Sequence, residues 1–427
     1  MPRLPKPRRL RSRRPALARL TENLRRSRTF VGETRTRVTE RIRRQRLLFT
    51  AILTAGLIVF ALAIWPFTKD HLEAISVLQQ VSQKPVPALI ADLVSHPVTT
   101  QDLTLDTESG KVRARLYMPA NNPNAPALIV LHGVHHLGID EPRLEGFASA
   151  MASTGLRVLT PELPDIKDYH VDSTSIKTIG ESTQWFAHKT GAPVGVMGLS
   201  FSGGLALLAA ADPLYKKDFK FVFAVGSQDS MNRVAQYYRT NQDERPNGST
   251  ELLPAHEYGP LVLEYEYVED FVPRQDIARI RAVLRAHLYE DKPAEATASL
   301  KLDERQKAEA LDLMDAASPH TRSLIAAAAA RHANELNGLS PGGHLRTLMT
   351  PVYLLHGQAD NIIPSAETLW MASELPTITL QAMLVSPVIS HLDMGTNPTL
   401  ADQWHLIHFF ALIMHAAETP TGRTPWL

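Results

Sequence analysis

The 427-residue chain has no cysteine. That rules out a disulfide staple and a thiolate nucleophile. A hydrophobic share of 44% supplies a large core, so an exported domain of this size needs no staple. The chain also lacks a glycine-rich phosphate loop and an internal repeat. Histidine is plentiful, with 17 copies, but no spacing of histidines and carboxylates stands out as a metal-ligand set. No metal and no cofactor is expected. Net charge is small too, at +1.

That small net charge hides an asymmetry. Residues 1–46 hold 17 basic and 3 acidic side chains, a charge of +14. The remainder holds 28 basic and 41 acidic, a charge of −13. Directly after the basic arm, Leu47 to Phe67 runs 21 residues without a charge. About 20 apolar residues span a bilayer. Trp65 and Phe67 close the run, where aromatic rings favour the interface. The spacing predicts a transmembrane helix over 47–67 with the arm of residues 1–46 cytoplasmic and the rest periplasmic or extracellular. The alternative is a cleaved signal peptide, with Ala61-Leu62-Ala63 as a small-x-small site, although the leading region is far too long for one. Arginine clusters also occur in nucleic-acid binders. Beside a span, topology and lipid contact explain them more simply, so no nucleic-acid partner is expected.

Residues 68–97 read as a linker with an amphipathic helical pattern. Val98 to Leu105 and Val112 to Met118 flank Glu108-Ser109-Gly110 and predict a β-hairpin. Helical and strand patterns then alternate: Arg143–Thr154, strand Arg157–Leu163, Ser173–His188, strand Pro193–Met197, Ser202–Ala211, strand Phe219–Val225. Such alternation means an α/β domain with a doubly wound, mostly parallel sheet over 98–427. A stretch of about 231–345 breaks the rhythm. It holds a polar loop, Thr240 to Thr250, then helical patterns at Gln275–Leu288, Leu302–Ala316 and Arg322–Leu336. This is a helical insertion placed where a lid would overhang the strand C-termini.

The chemistry gathers at four motifs. Val194-Gly195-Val196-Met197-Gly198-Leu199-Ser200-Phe201-Ser202-Gly203-Gly204 is an apolar strand, a sharp turn and an apolar helix, with Ser200 at the turn. A serine nucleophile needs this setting, with small residues two before and two after, here Gly198 and Ser202. Ser202 itself is the weaker alternative nucleophile, since it falls in the first helical turn, where serine usually caps. Upstream, Ala127 to Leu131 leads into His132-Gly133. Downstream, Val352 to Leu355 leads into His356-Gly357-Gln358-Ala359-Asp360, and Val385 to Ser390 leads into His391. The order Ser, Asp, His is that of one triad class among three.

On these four motifs, spanning about residues 98–418, the chain resembles an α/β-hydrolase of the esterase and dienelactone-hydrolase kind. The resemblance implies Ser200 as nucleophile, Asp360 as acid and His391 as base. It implies the backbone N–H groups of Val134 and Phe201 as oxyanion donors. Asp229, after the strand Phe219–Val225, is the alternative acid, and Asp393 reads as a loop residue. His135 and His136 are placed to touch substrate, while His132 and His356 read as packing beside the site. Dienelactone hydrolases use a cysteine nucleophile, which this chain lacks, so serine acyl transfer is the expected reaction. The reading is a membrane-anchored serine hydrolase acting on a small-molecule acyl ester or thioester. A peptidase or acyltransferase with the same triad is one alternative. A non-catalytic envelope binding module is another.

Overall fold

The structure, a computed structural model, describes residues 14–120, 122–389 and 398–424. His391 and Asp393 lie outside the described residues. The chain divides into two compact units, Met1–Pro66 and Phe67–Leu427. In the first, the described residues are helical and belong to one long helix, Arg14–Val81. Its most apolar stretch has a mean hydropathy of 2.6 and buries none of its side chains. Among the described residues, this is the one helix long and apolar enough to cross a membrane.

The second unit is built on strands β1 (Val98–Thr107), β2 (Gly110–Pro119), β3 (Ala127–Leu131), β4 (Arg157–Pro161), β5 (Val194–Leu199), β6 (Phe219–Val225), β9 (Val352–Gly357) and β10 (Leu380–Ser386). Their order across the sheet is β1-β2-β4-β3-β5-β6-β9-β10. The first three pair antiparallel and the others parallel. Every residue of β3 and β9 is buried, as expected for parallel strands covered on both faces. Alternation then divides the core. Ile129 and Leu131 face one apolar cluster with the helices Ser173–Thr190 and Phe201–Ala211. Leu128 and Val130 face the other, with the helices Pro142–Ser153 and Leu400–Glu418.

Residues 68–97 are more than a connection. Thr68 to Val81 continue the first helix, and Ala74 and Val77 are fully buried in the second cluster. Lys69 pairs with Glu418, Asp70 with His415 at 3.0 Å, and His71 Nε2 lies 3.0 Å from His408 Nδ1.

The insertion between β6 and β9 is mostly helical, as its periodicity predicts. The polar stretch after Thr240 differs from expectation: it holds a small hairpin, β7 (Gln242–Glu244) with β8 (Thr250–Leu252). Those strands are short and mostly exposed, so no apolar alternation marked them.

Glu264, on the insertion helix Tyr258–Glu266, is fully buried, and neither carboxyl oxygen has a hydrogen-bond partner. Burial pushes its pKa well above the ordinary carboxylate value. The folded chain therefore keeps a proton that the unfolded chain releases above about pH 4.5, and stability falls as pH rises from there. Glu264→Met should raise stability at pH 7 by about 1–3 kcal/mol and flatten the fall between about pH 5 and 8. Melting curves of the two proteins across that range are the check, and parallel curves would reject the assignment.

Candidate active site

The sheet register sets the site's spacing. Leu131, Gly198, Ala224 and Leu354 stand side by side on β3, β5, β6 and β9. Adjacent strands lie about 4.8 Å apart. The loops after β3, β5 and β9 therefore leave one edge of the sheet as neighbours. The loop after β3 carries Val134, the turn after β5 carries Ser200, and the loop after β9 carries Asp360.

Ser200 sits between β5 and the helix Phe201–Ala211 with φ 57° and ψ −136°, a backbone conformation that L side chains rarely adopt. Such a residue costs on the order of 1–3 kcal/mol and persists only where its surroundings impose it. Here they do. The Ser200 N–H donates to the Val225 carbonyl at 2.8 Å, and the Gly203 N–H donates to the Ser200 carbonyl at 3.0 Å. A Cβ at Gly198 would lie 2.4 Å from Gly203 Cα, and one at Gly203 would lie 2.0 Å from Ser227 Oγ. Gly203 is thus crowded as Gly198 is. The Ser202 hydroxyl donates to the Leu199 carbonyl at 2.7 Å, buried in the turn. Strand, strained serine, helix and sheet order are now together. The fold is that of the α/β-hydrolases.

Because the crowding at Gly198 is against backbone, Gly198→Ala in this α/β-hydrolase fold should cost at least about 2 kcal/mol. A thermal melt within a degree of the parent protein would show that the turn is looser than its contacts imply.

As the first residue of its helix, Phe201 has an N–H that the helix leaves unused. The Val134 N–H belongs to the Gly133–Val134 peptide, and His132 holds that peptide. Its Nδ1 donates to the Gly133 carbonyl at 2.8 Å, and its Nε2 accepts from the Leu163 N–H at 2.9 Å. One nitrogen donates and the other accepts, so the ring is neutral. Burial pushes its pKa down to about 4, which keeps it so. His132 therefore sets the plane of a peptide at the site, a role that its bare His-Gly context did not reveal.

Asp360 is fully buried. Its Oδ1 accepts from the N–H groups of Ile362 and Ile363 at 2.9 and 3.0 Å. Its Oδ2 lies 3.4 Å from His356 Nε2, which donates to the Ile363 carbonyl at 2.8 Å. His356 Nδ1 takes the Thr368 hydroxyl at 2.7 Å. His356 is thus committed through Nε2 to the loop that carries Asp360 and through Nδ1 to the helix Ala366–Glu374 that follows it.

Asp229 follows β6 and is turned into a separate ionic cluster. Arg233 reaches Asp229 at 2.8 Å and Glu367 at 2.6 Å, and Glu367 also accepts from the backbone N–H groups of Asp229 and Ser230. Burial, then the Glu367 charge, pushes the Asp229 pKa up to about 6.

The insertion reaches both loops that flank Ser200. The Tyr258 hydroxyl donates to the Val134 carbonyl at 2.6 Å, and the His256 N–H donates to the Asn361 carbonyl at 2.9 Å. No sequence pattern pointed to either residue. In the loop after β3, the His136 ring stacks between His135 and Tyr289, with centroids 4.7 and 4.5 Å away. Burial lowers the pKa of both histidines. An apolar cavity of about 20 Å³ adjoins the Phe201 ring, lined also by Val171, Met231, Val234 and Tyr238. Among the described residues, no cluster of three or more His, Asp or Glu could hold a metal ion.

No known family model matches the chain, and no curated protein sequence does. Solved structures that resemble it include an α/β fold family hydrolase from Bacillus anthracis, 16% identical, covering 73% of this chain and 98% of that one, at a TM-score of 0.38. Proline iminopeptidase from Mycobacterium smegmatis is 16% identical over 74% of this chain and 98% of its own, at 0.38. Acylaminoacyl peptidase from Pyrococcus horikoshii is 12% identical over 79% of this chain, at 0.44, and the match spans 44% of that longer protein.

Proposed function

We propose that this chain is a membrane-anchored serine hydrolase of carboxylic esters or thioesters. The observation that carries the reading is the strained backbone of Ser200, held between strand and helix beside unused N–H groups. Ser200 Oγ attacks the substrate carbonyl while His391 takes its proton. The N–H groups of Phe201 and Val134 hold the oxyanion, each typically lowering the barrier by about 3 kcal/mol. His391 then gives the proton to the leaving group, and water releases the acyl group from Ser200 by the reverse sequence. Asp360 orients the imidazole and stabilises its cation. Two backbone N–H groups hold its Oδ1 in place, which suits that role.

A fluorophosphonate probe tests the reading without knowledge of the substrate. It should label the full-length protein and leave Ser200→Ala unlabelled. An unlabelled parent protein would point to a binding module instead. For the anchor, the +14 arm places the N-terminus in the cytoplasm and Phe67 onward outside it. A C-terminal reporter active in the cytoplasm would reverse that topology.

A further inference from the structure

We infer that Tyr258 is a positioning residue for the Val134 N–H, and that the segment His256–Tyr258 is a strap tying the loop after β3 to the loop of Asp360. The inference rests on the proposed function, in which that N–H is one of two oxyanion donors. It starts from the two peptides that meet at Val134. The one before it carries the donor N–H and is held by His132 Nδ1 on the Gly133 carbonyl at 2.8 Å. The one after it is held by the Tyr258 hydroxyl on the Val134 carbonyl at 2.6 Å. Each peptide is a rigid plane, so two such contacts set the direction of the N–H between them. Burial holds the Tyr258 phenol protonated well above the ordinary tyrosine range, so it stays a donor at any working pH.

The hydroxyl does not act alone. Two residues earlier, the His256 N–H donates to the Asn361 carbonyl at 2.9 Å, next to Asp360. The buried Tyr237 hydroxyl donates to the same carbonyl at 3.1 Å. The Tyr258 N–H in turn donates to His256 Nδ1 at 3.2 Å, which stiffens the segment. Three residues thus bond to both loops that flank Ser200. Tyr169 backs them. It is fully buried with φ 65°, a left-handed conformation that strains any residue but glycine. It follows the short helix Pro164–Lys167, a place where glycine would serve at lower cost. The tyrosine is therefore explained by its side chain. Its ring meets Tyr258 edge-on with centroids 6.1 Å apart, and its hydroxyl donates to the Leu288 carbonyl at 2.7 Å. It also stacks on Tyr289 at 5.6 Å, and Tyr289 stacks on His136 of the loop after β3. Any movement of the insertion at Tyr258 is passed to Val134 through the hydrogen bond, so the insertion is a wall of the site as well as its cover.

An oxyanion donor must point at the charge that develops in the transition state, and removing one outright costs about 10²–10³ in rate. Loosening its peptide should cost less, about 10- to 100-fold. Tyr258→Phe in the full-length protein removes one oxygen and keeps the ring on Tyr169. Tyr265→Phe is the control, since it lies on the same helix and its ring packs on Tyr169 and His170. A third protein carries 4-aminophenylalanine at 258, which keeps a donor in the same place. The rate of labelling by a fluorophosphonate, and kcat and KM for p-nitrophenyl acetate, are measured below the melting transition of each protein. Tyr258→Phe should lose about 10- to 100-fold in labelling rate and in kcat with KM little changed, because the lost contact acts only in the transition state. The aminophenylalanine protein should recover most of that rate, and Tyr265→Phe should match the parent. Parent-like rates in Tyr258→Phe would overturn the positioning role and leave the hydrolase reading standing. Equal losses in Tyr258→Phe and Tyr265→Phe, or no recovery with the amine, would reduce Tyr258 to packing and overturn it too. A parent protein that the probe does not label would remove the hydrolase reading and the strap's role with it.

Discussion

Ser200→Ala should lower the turnover of an activated ester by about four orders of magnitude or more, while the protein still folds. Alanine keeps the Cβ and therefore the backbone strain at φ 57°. Only the hydroxyl is lost, and with it the attacking atom. Ser200→Gly separates the two contributions. Glycine adopts this backbone freely, so the variant should be as inactive as alanine yet more stable than the parent by about 1 kcal/mol. Loss of activity with a gain in stability would show a strained residue kept for chemistry. Residual activity within tenfold of the parent in purified Ser200→Ala would remove Ser200 from the mechanism.

The second large effect concerns the two candidate acids. Asp360→Asn should cut kcat by about 10⁴-fold with little change in KM, because the acid sets the tautomer of the base. The asparagine oxygen can still accept from Ile362 and Ile363, so the loop keeps its shape. Asp229→Asn should behave differently. It weakens the pairing with Arg233 and the ionic cluster around Glu367, and should lower thermal stability while leaving kcat within a few fold. The reverse pattern, with kcat lost in Asp229→Asn alone, would move the acid to the loop after β6.

The sheet was largely legible because its signals are local. Phe219–Val225 is apolar at every position but Lys220, and the strand ends where it was expected to end. The turn at Ser200 was legible for the same reason, since strand, small residues and helix follow one another in sequence. What was not legible depends on distant partners. Thr68 to Val81 carry Asp70, His71, Glu73 and Ser76, a polar set that resembles a solvated linker. All four are buried, and the groups that make this tolerable for Asp70 and His71 come from the last helix. The role of His132 was hidden likewise, because a histidine before a glycine reveals nothing about Leu163. Tyr258 reaches Val134 across 124 positions, a contact no periodicity encodes.

The docked stretch from Phe67 to Val81 has a consequence for biogenesis. It emerges from the ribosome first among the domain's elements, yet its ionic partners on the last helix lie 345 and 349 positions later. Until that helix arrives, Ala74 and Val77 have an incomplete core to enter, and Asp70 and Lys69 lack His415 and Glu418. Contacts this remote in sequence form late. The contact between Phe67–Val81 and the last helix therefore closes only after the whole polypeptide has been synthesised. A chain that stops short of the last helix leaves Ala74 and Val77 without part of the cluster that buries them, an exposed apolar surface that favours aggregation.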